Sequence, residues 1–277
     1  MGILDGKAVV VTGGGQGLGR AYALHAAEAG AAVVVNDVDG DLANEVAGLV
    51  ADAGGTAVAR QGSVVDPAEA TAVVGLCVRK FGAIDGLVNN AGLFHQASLW
   101  DDDLDRIRAL VEVNVLGSLY CGIAAAKAMR GRGTGSIVNM ASLSMLGKPG
   151  AAAYSASKGA VASMTFSWAV DLAAHGIRVN GVCPLAWTRM AEADAQTRLT
   201  PSDSPDRIAP LVTYLLSDLS VGVTGQLIRF VGSRLHIVLQ SAVKEPVFDR
   251  SSWSVLDIAS TFSSFSLEAP PAQRWVF

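Results

Sequence analysis

The segment Ala8-Val9-Val10-Val11-Thr12-Gly13-Gly14-Gly15-Gln16-Gly17-Leu18-Gly19 decides how the rest of the chain is read. Its small and β-branched apolar residues run without alternation, as a strand does when helices cover both faces of a parallel sheet. The glycines that follow make a tight turn, and a helical pattern begins at Gly17. A strand-turn-helix of this kind aims backbone N–H groups and the positive end of a helix dipole at one point, which suits a phosphate. The spacing TGxxxGxG does not satisfy the GxGxxG dinucleotide pattern, and no Lys-Ser/Thr pair follows the glycines as a P-loop requires. From the turn alone, a ligand-free connection stays open.

The same alternation repeats outward from this unit. Strands are expected over 8–11, 32–36, 57–61, 86–89, 136–140, 178–183 and 226–230, with helices over 17–29, 41–53, 67–81, 104–128, 154–174 and 205–216. The pattern predicts an α/β fold, a doubly wound Rossmann-type sheet of about seven parallel strands with helices on both faces. The polar stretch 191–204 reads as a mobile loop or short lid. One domain is expected over 1–232, and 233–277 as a C-terminal extension packed on that domain or on a neighbouring subunit, with a strand-like 235–239 and a short helix near 255–262.

The 277 residues suffice for a large core without disulfides. A net charge of −4 offers no basic footprint for nucleic acid. Cys77, Cys121 and Cys183 are odd in number and widely spaced, which argues against a disulfide framework and fits a reducing cytoplasm. His25, His175 and His236 form no paired-ligand spacing, so no metal site is expected. The N-terminus has no secretory pattern, and 151–170 reads as an amphipathic helix and not a membrane span, so no membrane partner is expected.

The second strand runs into Asp37, and an acid at this point can accept hydrogen bonds from both ribose hydroxyls of an adenosine, favouring NAD over NADP. Arg20 is the one nearby cation that could favour a 2′-phosphate. Tyr154 and Lys158 lie four residues apart and therefore on one helix face. A neighbouring ammonium favours a phenolate, bringing tyrosine towards general acid/base use. Ser142, at the end of a strand, and Asn114, in the fourth long helix, add weight to the pair.

Taken together and in this order, Thr12 to Gly19, Asn89-Asn90-Ala91-Gly92, and Asn114, Ser142, Tyr154 and Lys158 resemble the motifs of the short-chain dehydrogenase/reductase family, in its simple oxidoreductase branch, over residues 1 to about 232. The resemblance implies that Tyr154 exchanges a proton with the substrate oxygen while hydride moves between substrate and nicotinamide. It implies that Lys158 lowers the tyrosine pKa and holds the nicotinamide ribose, that Ser142 bonds the substrate oxygen, and that Asn114 positions a relay water. Gly13, Gln16, Gly17, Leu18, Gly19, Asp37, Ser63, Val64, Asn90, Ala91, Gly92, Pro184 and Thr188 would complete the cofactor site, with Asn90 and Gly92 on the adenosine side. Ser63 stands where many relatives carry an acid facing adenine, with Asp66 a potential substitute.

Two local departures bear on the site. The segment Pro184-Leu185-Ala186-Trp187-Thr188 is one residue shorter than the common form and is similar to that of peroxisomal multifunctional dehydrogenase domains and some actinobacterial relatives, several acting on steroids. Ser142 is twelve residues before Tyr154 instead of thirteen. Counting from the strand selects Ser142; counting back from Gly147 puts Ala141 in the serine's place, with Ser144 a poor substitute.

His95, Leu143 and Trp187 are candidate substrate contacts, with Leu93, Met145, Leu185 and Met190 near the same cleft. The expected activity is NAD-dependent interconversion of a secondary alcohol and a ketone, on a small-molecule apolar substrate such as a hydroxysteroid. The alternatives are a 3-oxoacyl or 3-hydroxyacyl thioester, which would call on Arg189 and Arg198, and a non-catalytic nicotinamide-sensing module, against which the intact Tyr154 and Lys158 argue. The resemblance also suggests a homotetramer or homodimer.

Overall fold

Val9 and Val11 face one way and Ala8 and Val10 the other, and all four are buried, so the first strand is held by hydrophobic clusters on both sides of the sheet. Full burial of a valine stabilises by about 1.5 kcal/mol or more, so this run anchors the centre of the structure. The structure is a computed structural model, and it describes residues 2–192, 194, 197–240 and 248–264. Strand β1 is Ala8–Thr12, followed by β2 Ala32–Asp37, β3 Thr56–Gln61, β4 Gly86–Asn89, β5 Gly135–Met140, β6 Ile177–Leu185, β7 Leu227–Val231 and β8 Arg234–Val238. Their order in the sheet is β3-β2-β1-β4-β5-β6-β7-β8, parallel throughout except for β8.

Helices α1 Gly17–Glu28, α2 Gly40–Asp52 and α8 Ala209–Leu216 contribute to the cluster that holds Val9 and Val11. Helices α3 Pro67–Phe81, α5 Ser118–Arg130 and α6 Ala152–Ala173 cover the other face. Helix α4 Leu104–Val111 runs through a π-helical turn, Glu112–Gly117, into α5, and α7 Arg189–Glu192 is a single turn after β6. Aspartates cap α2, α3 and α4: Asp39, Asp66 and Asp103 each accept backbone N–H groups of the first turn. At Asp103 those donors hold the carboxyl below the usual range. The continuous helix Leu104–Arg130 is, among the described residues, the one long and apolar enough to cross a membrane. Here Cys121, Ala124, Ala125 and Met129 bury one side of it in the core.

The eighth strand corrects the expected domain boundary at 232. Gly232 takes φ +56 and, with Ser233, reverses the chain so that Val231 pairs with Arg234 and Leu227 with Val238. A two-residue turn in which glycine supplies positive φ suits the twist of an antiparallel hairpin. The compact unit therefore runs to Val238, and a second unit begins at Leu239. Within that second unit, α9 Val255–Ser264 starts with a reciprocal cap: the Ser254 hydroxyl accepts from Asp257 N–H, and the Asp257 carboxylate accepts from Ser254 N–H and Oγ–H. Of the expected loop at 191–204, residues 193, 195 and 196 lie outside the described residues.

The three cysteines are free and buried, and burial pushes each thiol up to about 12, with Asp85 adding to the effect at Cys77. An unfolded thiol ionises at about 8.5. Between about pH 9 and 12 the folded chain thus keeps protons that the unfolded chain releases, and stability falls as pH rises through that window. Lys158, brought down to about 8 by burial, contributes in the opposite sense between 8 and its ordinary 10.5, but it is one group against the three thiols and the buried phenols of Tyr22 and Tyr154, which burial also pushes up. The melting temperature, followed by circular dichroism, is expected to drop steadily from pH 9 to 11. A flat profile would contradict the burial of the thiols.

Candidate active site

The sheet order reverses between β1 and β4, so the loops leaving their carboxyl ends diverge and open a crevice there. The glycine turn after β1 fills one side of it. Gly13 and Gly17 have φ of +60 and +52, and Gly13 lies so close to the next loop that a Cβ would stand 2.8 Å from the Cα of Ala91. At Gly19 a Cβ would meet the Gly13 carbonyl at 2.0 Å, and at Gly15 the Asp37 carboxylate at 2.9 Å. Gln16 is the N-cap of α1 but makes no side-chain cap, and the first turn carries no acid, in contrast to α2, α3 and α4. The N–H groups of Gly17, Leu18 and Gly19 are thus left without a protein carboxylate at the positive end of a helix. This donor set fits the pyrophosphate of a nicotinamide dinucleotide.

Asp37 ends β2 beside this turn. Its carboxylate accepts from Gly15 N–H at 2.9 Å and from Asp39 N–H at 3.1 Å, which fixes it at the rim where a ribose would lie. Asn90 braces the other side: its amide donates to the carbonyls of Thr12 and Gly13, and Thr12 Oγ1 accepts from the N–H groups of Asn90 and Ala91. The side chain of Asn90 is therefore committed to the glycine turn. Gly92 is placed differently from the expected adenosine side: a Cβ there would stand 3.3 Å from Asn114 Oδ1 and 3.8 Å from Lys158 Nζ. Ser63 accepts from Val65 N–H, and Val64 packs where a Cβ on Gly117 would lie. Asp66 is engaged as the cap of α3.

Tyr154, Lys158, Ser142 and Asn114 converge at the carboxyl ends of β4 and β5. Helical period brings Lys158 Nζ to 5.6 Å from the centre of the Tyr154 ring, and the ammonium donates to the Met140 carbonyl at 2.7 Å. Ser142 lies beside the Tyr154 phenol and draws its pKa down, whereas Ala141 is buried in an apolar cluster with Val161 and Cys183. Of the two positions that counting offers for the serine, 142 is the one beside the phenol. Ser144 N–H and Oγ–H groups also meet the Ser142 hydroxyl, which accepts from the former and donates to the latter. Asn114 lies in the π-helical turn, with its amide bonded to both the N–H and the carbonyl of Leu93 and to Ser157 Oγ. An extra residue in a helical turn re-aims backbone carbonyls, a device frequent at functional sites.

The sign of the Tyr154 shift departs from the expectation. Burial pushes the phenol up to about 12, with the Ser142 hydrogen bond opposing and Cys183 and Asp194 adding to it. Desolvation sets the direction, since the tyrosine is buried in a cluster with Leu110 and Ala151, and Phe94 packs against it.

The sequence family described as short chain dehydrogenase matches residues 7–198, the stretch that holds both the glycine turn and the Tyr154 cluster. This chain belongs to the short-chain dehydrogenase/reductase family. It is an oxidoreductase of that family's fold and cofactor class, using a nicotinamide cofactor. A hydroxyacyl-CoA dehydrogenase of Mycobacterium tuberculosis is 31% identical, over 98% of this chain and 92% of that one. A short chain dehydrogenase of Mycobacterium avium superposes with a TM-score of 0.86 at 32% identity, covering 95% of both chains. A gluconate 5-dehydrogenase of Burkholderia cenocepacia, solved with NADP and tartrate, has a TM-score of 0.76 at 34% identity, covering 82% of this chain and 94% of that one.

In this oxidoreductase the loops after β4, β5 and β6 leave the sheet at the end where Tyr154 lies. The shortened segment after Pro184 still reaches the cofactor turn, since Thr188 Cγ2 lies 3.4 Å from where a Cβ on Gly17 would stand, and its hydroxyl accepts from Ala191 N–H. Trp187 is half-buried, with its N–H donating to the Asp203 carbonyl. Leu143 packs on the cluster around Val161 and Cys183. His95 is less a wall than expected: it is buried, with Nε2 2.9 Å from Asp102 Oδ1, and ties its own loop together.

Three residues that sequence reasoning passed over stand at the site. Phe94 sets its ring edge-on to Tyr154, with centres 4.9 Å apart. Lys148 lies over that ring at 5.3 Å and is paired with Asp194. These residues come from three separate loops, and no spacing along the chain announces their meeting.

Proposed function

We propose that this oxidoreductase interconverts a secondary alcohol and its ketone with NAD(H), Tyr154 acting as general acid/base. The observation that carries the reading is the enclosed cluster of Tyr154, Ser142 and Lys158 at the end of the cleft that opens beside the glycine turn. The bound nicotinamide would supply the hydride acceptor or donor and, when oxidised, a positive charge. Ser142, beside the phenol, would hold the substrate oxygen. Tyr154, with its raised pKa, keeps its proton at neutral pH and is ready to give it to a carbonyl being reduced. Lys158, ionised below about pH 8, offers the charge that favours phenolate for the reverse direction.

The choice of NAD rests on Asp37, whose carboxylate would repel a 2′-phosphate at the ribose rim. NADH is expected to bind at least tenfold more tightly than NADPH in a fluorescence titration, and Asp37→Ser to narrow the gap chiefly by strengthening NADPH. Equal affinities in the unaltered protein would overturn the assignment. A second reading, a 3-hydroxyacyl thioester substrate, is favoured by one observation: the hydroxyacyl-CoA dehydrogenase aligns with nearly the whole chain, including residues beyond β8. Turnover measured side by side on simple secondary alcohols, hydroxysteroids and a 3-hydroxyacyl thioester separates the two.

A further inference from the structure

Asp194 joins the three loops that wall the cleft. Its Oδ2 is paired with Lys148 Nζ, on the loop between β5 and α6, and its Oδ1 accepts from Gln96 Nε2, on the loop after β4, at 2.8 Å. Both charges are largely withdrawn from water, with side-chain exposures of 12% for Lys148 and 19% for Asp194. The Lys148 backbone is held next to the catalytic helix, its N–H donating to Ser155 Oγ at 3.1 Å. Its ammonium rests over Phe94, which in turn packs against Tyr154. Lys148 is thus tied to Tyr154 by two routes, through the Phe94 ring and through the first turn of the catalytic helix.

We propose that Lys148 is the specificity-determining residue of this cleft and binds a carboxylate at the far end of the alcohol substrate, which takes the place of Asp194 between Lys148 and Gln96. The inference rests on the alcohol dehydrogenase reading above and narrows it to alcohols with an apolar body and an acid end. Two donors, one cationic and one amide, already hold a carboxylate here, so their geometry suits that group and its two oxygens. An exchange of carboxylate for carboxylate keeps the sheltered ammonium paired throughout. An uncharged substrate must instead leave Asp194 in the cleft or strand Lys148 without a counter-ion, which is costly in a sheltered site. The offset between Lys148 and Tyr154 then measures the distance from acid to hydroxyl.

The test is calorimetric titration of the full-length protein, with and without NADH, using heptanoate and 1-heptanol as probes and adenosine 3′,5′-bisphosphate as a phosphate control. Asp194→Asn keeps the shape and the bond to Gln96 but removes the competing charge, and is expected to bind heptanoate about tenfold more tightly, the weight of one charge-assisted hydrogen bond. Lys148→Met keeps the apolar stem over Phe94 and should weaken heptanoate binding at least tenfold, with 1-heptanol unaffected by either change. Heptanoate affinity that is absent, or unmoved in both variants, would overturn the proposal. So would a Lys148-dependent preference for the bisphosphate over heptanoate. Parallel turnover of 2-heptanol and 6-hydroxyheptanoate separates this idea from the reading beneath it. Turnover without Lys148-dependent acid binding removes only the role of Lys148, whereas Lys148-dependent binding without turnover of any alcohol removes only the dehydrogenase reading.

Discussion

Tyr154→Phe is expected to lose turnover by about 10²- to 10⁴-fold, the range associated with a positioned general acid or base, while NADH affinity and melting temperature stay near those of the unaltered protein. The substitution removes one oxygen and leaves the ring, so the edge-on contact with Phe94 and the packing on Leu110 and Ala151 persist. The phenol is buried beside Ser142. Ser142 is already engaged with Ser144, and Asn114 is bound to Leu93. Steady-state turnover in both directions, paired with a fluorescence titration of NADH, checks the expectation. Turnover within a few-fold of the original would show that the proton travels by another route. Loss of NADH binding along with activity would show that the tyrosine serves the cofactor site.

Gly19→Ala is expected to abolish measurable NADH binding and to destabilise the fold by about 1–3 kcal/mol or more, through overpacking against atoms that cannot yield. The added methyl would stand 2.0 Å from the Gly13 carbonyl and 2.5 Å from Asn90 Nδ2. Those atoms are themselves hydrogen-bonded to each other at 2.8 Å, so relief requires the glycine turn to part from the loop after β4. Gly48→Ala is the matched control. Gly48 lies within α2, where an added Cβ meets nothing within 4 Å, so the same change should stabilise by about 0.5–1 kcal/mol. Thermal melts of the two variants should therefore move in opposite directions. A Gly19→Ala protein that melts and binds NADH normally would mean that the turn is looser than its contacts indicate.

Much of this oxidoreductase is legible along the chain because the physics that shapes it is local. Uninterrupted apolar strands such as Val33-Val34-Val35 announce burial on both faces, glycines mark the turn that only they can take, and the helical period puts Tyr154 and Lys158 side by side. The places of the strands and helices, the glycine turn and the family resemblance all follow from such short-range signals. The choice between Ser142 and Ala141 does not, since one residue more or less in a loop shifts the count without altering the pattern. Packing decides it, with Ala141 in an apolar cluster and Ser142 at the phenol.

What the tertiary structure alone decides are effects that arise between segments distant in sequence. The eighth strand joins the sheet because β7 presents an unpaired edge to a chain that Gly232 turns back on it. The Tyr154 pKa rises instead of falling because desolvation depends on what packs around the side chain, and Phe94 and Leu110 come to it from elsewhere in the chain. Lys148, Asp194 and Gln96 meet only because the loops after β4, β5 and β6 leave the same end of a parallel sheet. Sequence period reports which way a side chain points from its own backbone; charge pairing across a cleft depends on which backbones the sheet sets side by side.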